Sequence, residues 1–270
     1  MPINLSISIV VYSYPSRDLI KTIEQLSKSI EIAKSRGALS TAELSVISNT
    51  IKPFTEKELF KDLVFPGKIR LKNNYGNLGF AAGHNQTTQG LISDLHLILN
   101  PDAFLAEDAI YQGVILMQSE PSIAILGPRG VTRWGSPAFL PKRYPSVLVL
   151  LIRALNWKSL NVIFRDRLSN YEYRDLAVDK ESNVQLLSGC CLLIQTNILK
   201  KLGGFDERFF LYFEDFDLSL RASEHGRVVN APRMVITHLG GNTSSKNWKM
   251  IAYFIASGVK FFFKHGWKIV

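Results

Sequence analysis

Glu214, Asp215 and Asp217 stand together in GGFDERFFLYFEDFDLSLRASEHG, a run otherwise dominated by Phe, Leu and Tyr. Adjacent carboxylates repel, and burying either one uncompensated costs several kcal/mol or raises its pKa until it takes up a proton. Such a cluster persists where it is solvated, paired with cations or used in chemistry. Arg221 follows Asp217 by four residues, so on a helix it is a counter-charge on the same face. In LILNPDAFL a strand pattern breaks at Pro101, which leaves Asp102 just past a strand end. Ligands of α/β sheets bind there, and an Asp in that place can hold a divalent cation that bridges to a diphosphate. Asn-Pro-Asp is equally good turn chemistry, with Asp102 capping the next segment. In NLGFAAGHN, Gly79 and Gly83 let the backbone approach a ligand, and a helix starting there favours anions at its N-terminus. The loop matches neither GxGxxG nor GxxxxGK[ST], and a tight connection is its other reading.

These residues need elements to position them. SISIVVYSY is β-branched and reads as a buried strand. SRDLIKTIEQLSKSIEIAKSRG reads as a helix capped by Ser16, with Leu19, Ile23, Leu26 and Ile30 on one face and Gly37 at its end. AELSVISNT and KIRLKNN are further strands, YGNLGFAAGHNQTTQGL leads into a helix, and DLHLILNPDAFL is a strand. EDAIYQGVILMQSEP is a helix, SIAILGPRG a strand, and NVQLLSGCCLLIQTNILKKLGGF a strand then a helix ended at Gly203-Gly204. This alternation predicts an α/β fold with a mostly parallel sheet of the nucleotide-binding kind. Residues 131–183, with Pro137, Pro141 and Pro145, read as an irregular insertion or acceptor-side region.

The chain has 270 residues, 46% hydrophobic and 20% charged, which fits a globular protein with a sizeable core. Cys190 and Cys191 are adjacent and form neither a disulfide framework nor a CxxC metal pair, so a reducing compartment fits. The N-terminus lacks a basic n-region, no signal peptide is expected, and no apolar run reaches the length of a membrane span. The net charge is +9. Between Arg129 and Arg174 the basic residues face only Asp166 and Glu172, and from Lys246 onward there are lysines but no acid. Basic residues interleaved with aromatics, as in WKMIAYFIASGVKFFFKHGWK, suit a membrane interface better than a nucleic-acid track. A helix that buries its aromatics in the core and turns its lysines outward explains the same segment.

Taken in order, NLGFAAGHN, LNPDAFL, SGCCLLI, GGFDERFFLYFEDFDLSLRASEHG and THLGGNTS closely resemble the inverting nucleotide-sugar glycosyltransferases of family 2. The match is best to a rhamnosyltransferase-like branch with Asn-Pro-Asp in place of Asp-x-Asp. The resemblance implies a GT-A fold, with a Rossmann-like nucleotide half and an acceptor half, over residues 1–245. Residues 246–270 would be a basic aromatic helix able to associate with membrane. It also implies Mg2+ or Mn2+ held by Asp102 and His238. Asp215 would be the general base on the acceptor hydroxyl, supported by Glu214 and Asp217. Donor contacts would come from Tyr14, Asn49, Asn77, Gly79, Phe80, Gly83, Asn85, Asn100, Asp102 and Arg221. His84 lies in the same loop, where capping the helix is its other reading. Two positions depart from the family: Ser48-Asn49 replaces Asp-Asn after the second strand, and Ser13-Tyr14-Pro15 replaces Thr-Tyr-Asn after the first.

What the resemblance implies is transfer of L-rhamnose from dTDP-L-rhamnose to a lipid-linked bacterial polysaccharide such as O-antigen or a cell-wall glycan. A cytoplasmic enzyme, peripheral on the inner face of the cell membrane and without a nucleic-acid partner, is expected. A UDP- or GDP-sugar donor, or a non-catalytic nucleotide-sugar-binding subunit, are the competing expectations.

Overall fold

The computed structural model describes residues 1–12, 17–155, 157–239 and 248–270. Tyr14, the Ser16 cap and the expected boundary at residue 245 lie outside the described residues. The first half alternates as its hydrophobic pattern requires. β1 (Ile3–Val11) is buried along almost its whole length, and α1 (Arg17–Ser35) covers it with Leu19, Ile23, Leu26 and Ile30. Gly37, at φ 71°, turns the chain out of that helix in a conformation other residues rarely adopt. Next come β2 (Leu39–Ser48), α2 (Glu56–Phe60), β3 (Lys68–Asn73) and α3 (Gly79–Thr88). β4 (Leu95–Leu99) stops at Asn100-Pro101, and the chain resumes as β5 (Ala103–Leu105) before α4 (Ala109–Ser119) and β6 (Ile123–Val131).

β7 (Pro137–Ala138) opens the region expected to be irregular, which instead holds α5 (Val147–Leu155), α6 (Lys158–Ile163) and α7 (Arg165–Tyr171). These helices are too short to show a period, yet Val149, Ile152, Leu168 and Tyr171 give them a small core of their own. The chain then returns through β8 (Ser182–Asn183), β9 (Cys191–Gln195), α8 (Thr196–Lys201), α9 (Glu214–Ser223), β10 (Arg227–His238) and α10 (Trp248–His265).

The sheet order is β3-β2-β1-β4-β9-β6-β10-β5. β3, β2, β1 and β4 run parallel, as do β6 and β10. β9 lies antiparallel between β4 and β6, so those two groups of strands point the same way. The sheet is thus mixed but mostly parallel, and the start of β9 falls at the edge where the parallel strands end. β10 carries Pro232, and its register against β6 jumps from Ala231 to Val235, so no ladder bond is asked of the proline.

α10 divides its aromatic residues between two faces. Phe261 and Phe262 pack with Phe209 and Phe213 in a buried aromatic cluster. Trp248, Ile255 and Phe263 on the same helix stand in solvent.

Candidate active site

Four segments meet where the parallel strands end: the turn after β4, the start of β9, the start of α9 and the end of β10. The amide of Asn100 donates to the Cys190 carbonyl at 2.8 Å, tying the first two together. The Gly189 amide donates to Asp215 Oδ2 at 2.8 Å, and the Phe216 amide donates to Oδ1 at 2.9 Å. Both oxygens of Asp215 are therefore held, in the first turn of a helix whose dipole favours negative charge. A Cβ on Gly189 would lie 3.1 Å from the Asp215 Cβ, so the bare backbone is what lets the two segments approach. Burial raises the Asp215 pKa, and the two amides and the Lys142 charge oppose that rise.

Its neighbours have other fates. Glu214 is 5% exposed, and its Oε2 finds no hydrogen-bond partner among the described residues. Burial first, and the adjacent Asp215 second, push the Glu214 pKa well above the ordinary carboxylate range. Asp215 has two amide donors that favour its ionised form, and Glu214 Oε2 has none. Asp217 is fully buried, and it is paired with Arg221 Nε at 2.7 Å, Lys264 Nζ at 2.5 Å and His265 Nε2 at 2.8 Å. One carboxyl has its pKa pushed up by burial, one is caught by amides and one is surrounded by Arg221, Lys264 and His265, which is how an apolar run carries all three.

The approach to α9 is strained. Tyr212 and Phe213 have φ 69° and 67°, in the left-handed region that costs a bulky residue about 1–3 kcal/mol. Ring contacts hold them there: Tyr212 on Phe254 at 5.6 Å, and Phe213 on Phe254 at 5.2 Å and Phe261 at 5.3 Å. The reversal starts α9 at Glu214 and so places Asp215 under Gly189.

On the other side of β9's start, Ala103 of β5 pairs in register with His238 of β10. That pairing sets His238 Nε2 3.7 Å from Asp102 Oδ1, with both side chains partly open to solvent. Burial chiefly pushes the Cys190 thiol up to about 12, and both Asp102 and Asp215 add to the rise. Among the described residues no group of three or more His, Cys, Asp or Glu could cage a metal. Asp102 and His238 do fit a cation that takes its remaining ligands from a diphosphate and water, as Mg2+ does, and one imidazole is tolerated by Mn2+.

The glycine-rich loop is built differently from its expected role. Gly79, at φ 85°, lies so close to the Phe210 carbonyl that any Cβ would collide with it, and a Cβ on Gly83 would meet Val10 Cγ1 at 2.9 Å. Both glycines admit protein rather than ligand, letting α3 sit against β1 and the 205–213 loop. Asn85 likewise exchanges hydrogen bonds of 2.8 Å with the Phe205 amide and carbonyl, which clamps that loop in place of touching a nucleotide. Asn49 is buried, donating to the Gly79 carbonyl at 2.8 Å and accepting from Asn74 at 2.9 Å. Arg221 spends its guanidinium on Asp217, the Leu202 carbonyl and the Gly204 carbonyl, so it is the counter-charge and its expected donor contact has no support. His84 does not cap the helix end: it is buried against Ser8 at 2.7 Å, and burial, helped by His96, brings its pKa down to about 3. Of the loop residues, Phe80 lies at the site and Asn77 braces the start of α3. Asn77 is exposed and accepts from the Gly79 amide at 2.9 Å, and the Phe80 ring comes 3.5 Å from where a Gly189 Cβ would be.

Two features were not foreseen. Gly189 stands within SGCC, where only its closeness to an acidic helix start gives it meaning. Lys142 is half-buried, donates to the Phe139 carbonyl and has its pKa lowered to about 8, by burial first and Arg153 next. Its ammonium lies 5.9 Å from the Tyr171 ring, and Arg153 pairs with Glu172 beside it. The basic excess of the 129–174 stretch was visible in the sequence, but not that part of it lines the Asp215 side.

A family model described as glycosyltransferase like family 2 matches residues 7–252, which takes in the second half of β1, the Asp102 turn, Asp215 and His238. The chain belongs to this family. The N-acetylglucosaminyl-diphospho-decaprenol L-rhamnosyltransferase of Mycobacterium tuberculosis is 27% identical over 192 residues, 66% of this chain and 61% of that protein. The low-salt glycan biosynthesis hexosyltransferase Agl10 of Haloferax volcanii is 23% identical over 220 residues, 80% of this chain and 61% of its own length. The matches thus take in less than two thirds of the curated relatives. Among solved structures, GalNAc-T7 with UDP, GalNAc and Mn2+ superposes with a TM-score of 0.66, at 13% identity over 91% of this chain and 45% of that one. The mannosyltransferase PcManGT of Pyrobaculum calidifontis, with GDP-Man and Mn2+, gives 0.60 at 13% identity over 96% of this chain and 65% of that one. The fold of this family-2 chain is therefore GT-A.

Proposed function

We propose that the protein is an inverting glycosyltransferase that moves L-rhamnose from dTDP-L-rhamnose to a hydroxyl of a lipid-linked saccharide. The observation that carries this reading is the Asp215 carboxylate, oriented by two backbone amides on the same sheet edge as Asp102 and His238. Support for the sugar and the lipid comes from the mycobacterial relative, a rhamnosyltransferase whose name includes a diphospho-decaprenol. The Asn-Pro-Asp turn before β5 resembles that of the rhamnosyltransferase-like branch and supports the same donor.

Inversion needs a base on the face of the anomeric carbon opposite the leaving diphosphate. Asp215 takes the acceptor proton in this scheme, and Glu214, held neutral, keeps a second negative charge from competing for it. Gly189 and Phe216 keep the carboxylate aimed, so little of its orientation must be arranged during reaction. Lys142 sits on the acceptor side, where its charge favours the ionised form of Asp215. Asp102 and His238 would hold Mg2+ or Mn2+, which when bound supplies positive charge to the departing diphosphate. A lipid-linked acceptor implies work at the cytoplasmic face of the cell membrane. A purely nucleotide-sugar-binding role would leave the aimed carboxylate without a purpose.

The test is a donor screen with purified protein, a lipid-diphosphate-sugar acceptor and a panel of dTDP-, UDP- and GDP-sugars, read by mass spectrometry. Mass gain with dTDP-L-rhamnose and none with Asp215→Asn is the expected result. Gain only with a UDP- or GDP-sugar would replace the donor, and no gain with any donor would overturn the enzymatic reading.

A further inference from the structure

The solvent side of α10 carries Trp248, Ile251, Ile255, Val259 and Phe263, which are 72, 47, 59, 40 and 76% exposed. At 100° per residue these five fall within an arc of about 120°. Lys249 and Lys260 come next around the helix. Apolar ridges of this kind are rarely left in water by a soluble protein. The helix does not end in isolation. The Val147 and Leu148 amides of α5 donate to the Lys268 and Ile269 carbonyls at 2.8 and 3.1 Å, and Tyr144 Oη donates to the Gly266 carbonyl at 2.5 Å. Beyond α5, the neighbouring helix α6 and its entry expose Trp157, Val162 and Ile163 at 60, 74 and 72%. Lys158, Arg165 and Arg167 flank these residues, and Asp166 is the single acid among residues 147–171.

We infer that the exposed ridge of α10 and the exposed side of α6 form one docking face for an anionic bilayer, on which the protein lies without crossing. Among the described residues no helix is long and apolar enough to span a membrane. Tryptophans near both ends of α10, Trp248 and Trp267, suit the headgroup boundary, where one edge is apolar and the other wet. Charge decides between a bilayer and a second copy of the chain. Lys249 and Lys260 beside the ridge, and Lys158, Arg165 and Arg167 beside α6, make the face basic in sequence, which anionic lipid complements and a second copy of the same face opposes. The face is also fastened to the catalytic helix. Lys264 and His265 of α10 hold Asp217 of α9, two residues after Asp215, so docking would set the height of the base above the lipid surface. This deepens the proposed function and rests on it only for why a bilayer would be visited.

The experiment is flotation of the full chain with vesicles of phosphatidylcholine alone or mixed with phosphatidylglycerol, at low and high salt. Expected is capture by the mixed vesicles that weakens with salt, as screening requires. Ile255→Glu with Phe263→Glu, and separately Val162→Glu with Ile163→Glu, should each cut capture tenfold or more while melting curves stay unchanged, because all four side chains are exposed. Wild type that fails to float, or either double variant floating like wild type, overturns the inference. So does a dimer seen by light scattering that the α10 variant dissociates. Transfer to a short-chain, water-soluble acceptor should be unaffected in both variants. If wild type floats but shows no such transfer, the proposed function fails and the docking face stands.

Discussion

Asp215→Asn is the substitution that separates chemistry from architecture. Wild-type Asp215 accepts two amide bonds, from Gly189 at 2.8 Å and Phe216 at 2.9 Å. The asparagine keeps one acceptor oxygen but turns an NH2 toward the other amide, so one charge-assisted bond worth about 1.5–3 kcal/mol is lost. Against that, the variant removes the charge that raises the pKa of buried Glu214. The two effects oppose, and the melting temperature should move by no more than a few degrees. The rate should not be so protected. General-base catalysis contributes about 10²–10⁴-fold, equivalent to about 2.7–5.5 kcal/mol of barrier, and an amide cannot take the acceptor proton. Expected is a kcat loss in that range with donor KM unchanged, since the base acts on the acceptor. The wild-type pH profile adds a second reading. Burial raises the Asp215 pKa, so kcat should fall as pH drops through a value above the ordinary carboxylate range. Steady-state kinetics with donor titration, run beside thermal melts, measure all of this. Asp215→Asn turning over within a few-fold of wild type would refute the assignment.

Asp217→Ala should behave in the opposite way, taking the carboxylate from Arg221 and His265 and one of the two carboxylates from Lys264, and costing about 3–5 kcal/mol, seen as a shift of the denaturation midpoint. A stability equal to wild type would mean the cluster is not holding α10 to α9. Glu214 has a folded pKa above its unfolded one, so the folded state binds the extra proton and stability drains away as pH rises from the carboxylate range toward the folded value. Glu214→Gln fixes the neutral form, and its melting temperature should overtake wild type as pH rises above the ordinary carboxylate range while the two converge below that range; parallel curves would show that Glu214 is not the group responsible. Asp102→Ala and His238→Ala should each cut turnover and weaken donor binding, measured calorimetrically with Mn2+ present, without loss of fold. Full activity in chelator would remove the metal from the scheme.

Where a sequence feature acts on its own neighbours, it was legible. The break at Pro101 put Asp102 past a strand end, and the four-residue spacing put Arg221 on Asp217. Features that depend on what arrives from elsewhere were not. Gly79 and Gly83 announce a close approach, but nothing local says that the approaching atoms belong to Phe210 and Val10. Asn85 is as good a clamp for Phe205 as it would be for a ligand, and only the fold brings Phe205 to it. CCLLI reads as a buried strand in either direction, so the antiparallel placement of β9 was hidden, and with it the fact that Gly189 opens onto the site. The short helices α5 to α7 owe their stability to one another, and Lys142 is placed by a backbone bridge to distant Leu186, neither of which leaves a periodic signal.

The placement of β9 also bears on how the molecule comes into being. β3, β2, β1 and β4 are complete within the first hundred residues and can zip up as each parallel strand appears. β6 follows soon after, yet apart from a two-residue hairpin with β7 its partners are β9 and β10, made much later. On an emerging chain the edge of β4, LHLIL, therefore stays open while the short helices are synthesised, a row of unpaired amides on an apolar strand. Contacts of such long sequence separation place folding in the slow regime, and the waiting edge is where a stalled chain would stick to its neighbours. The strand that follows Gly189 is the one that joins the two parallel groups, so the Gly189–Asp215 side of the site cannot form before the halves of the sheet are joined.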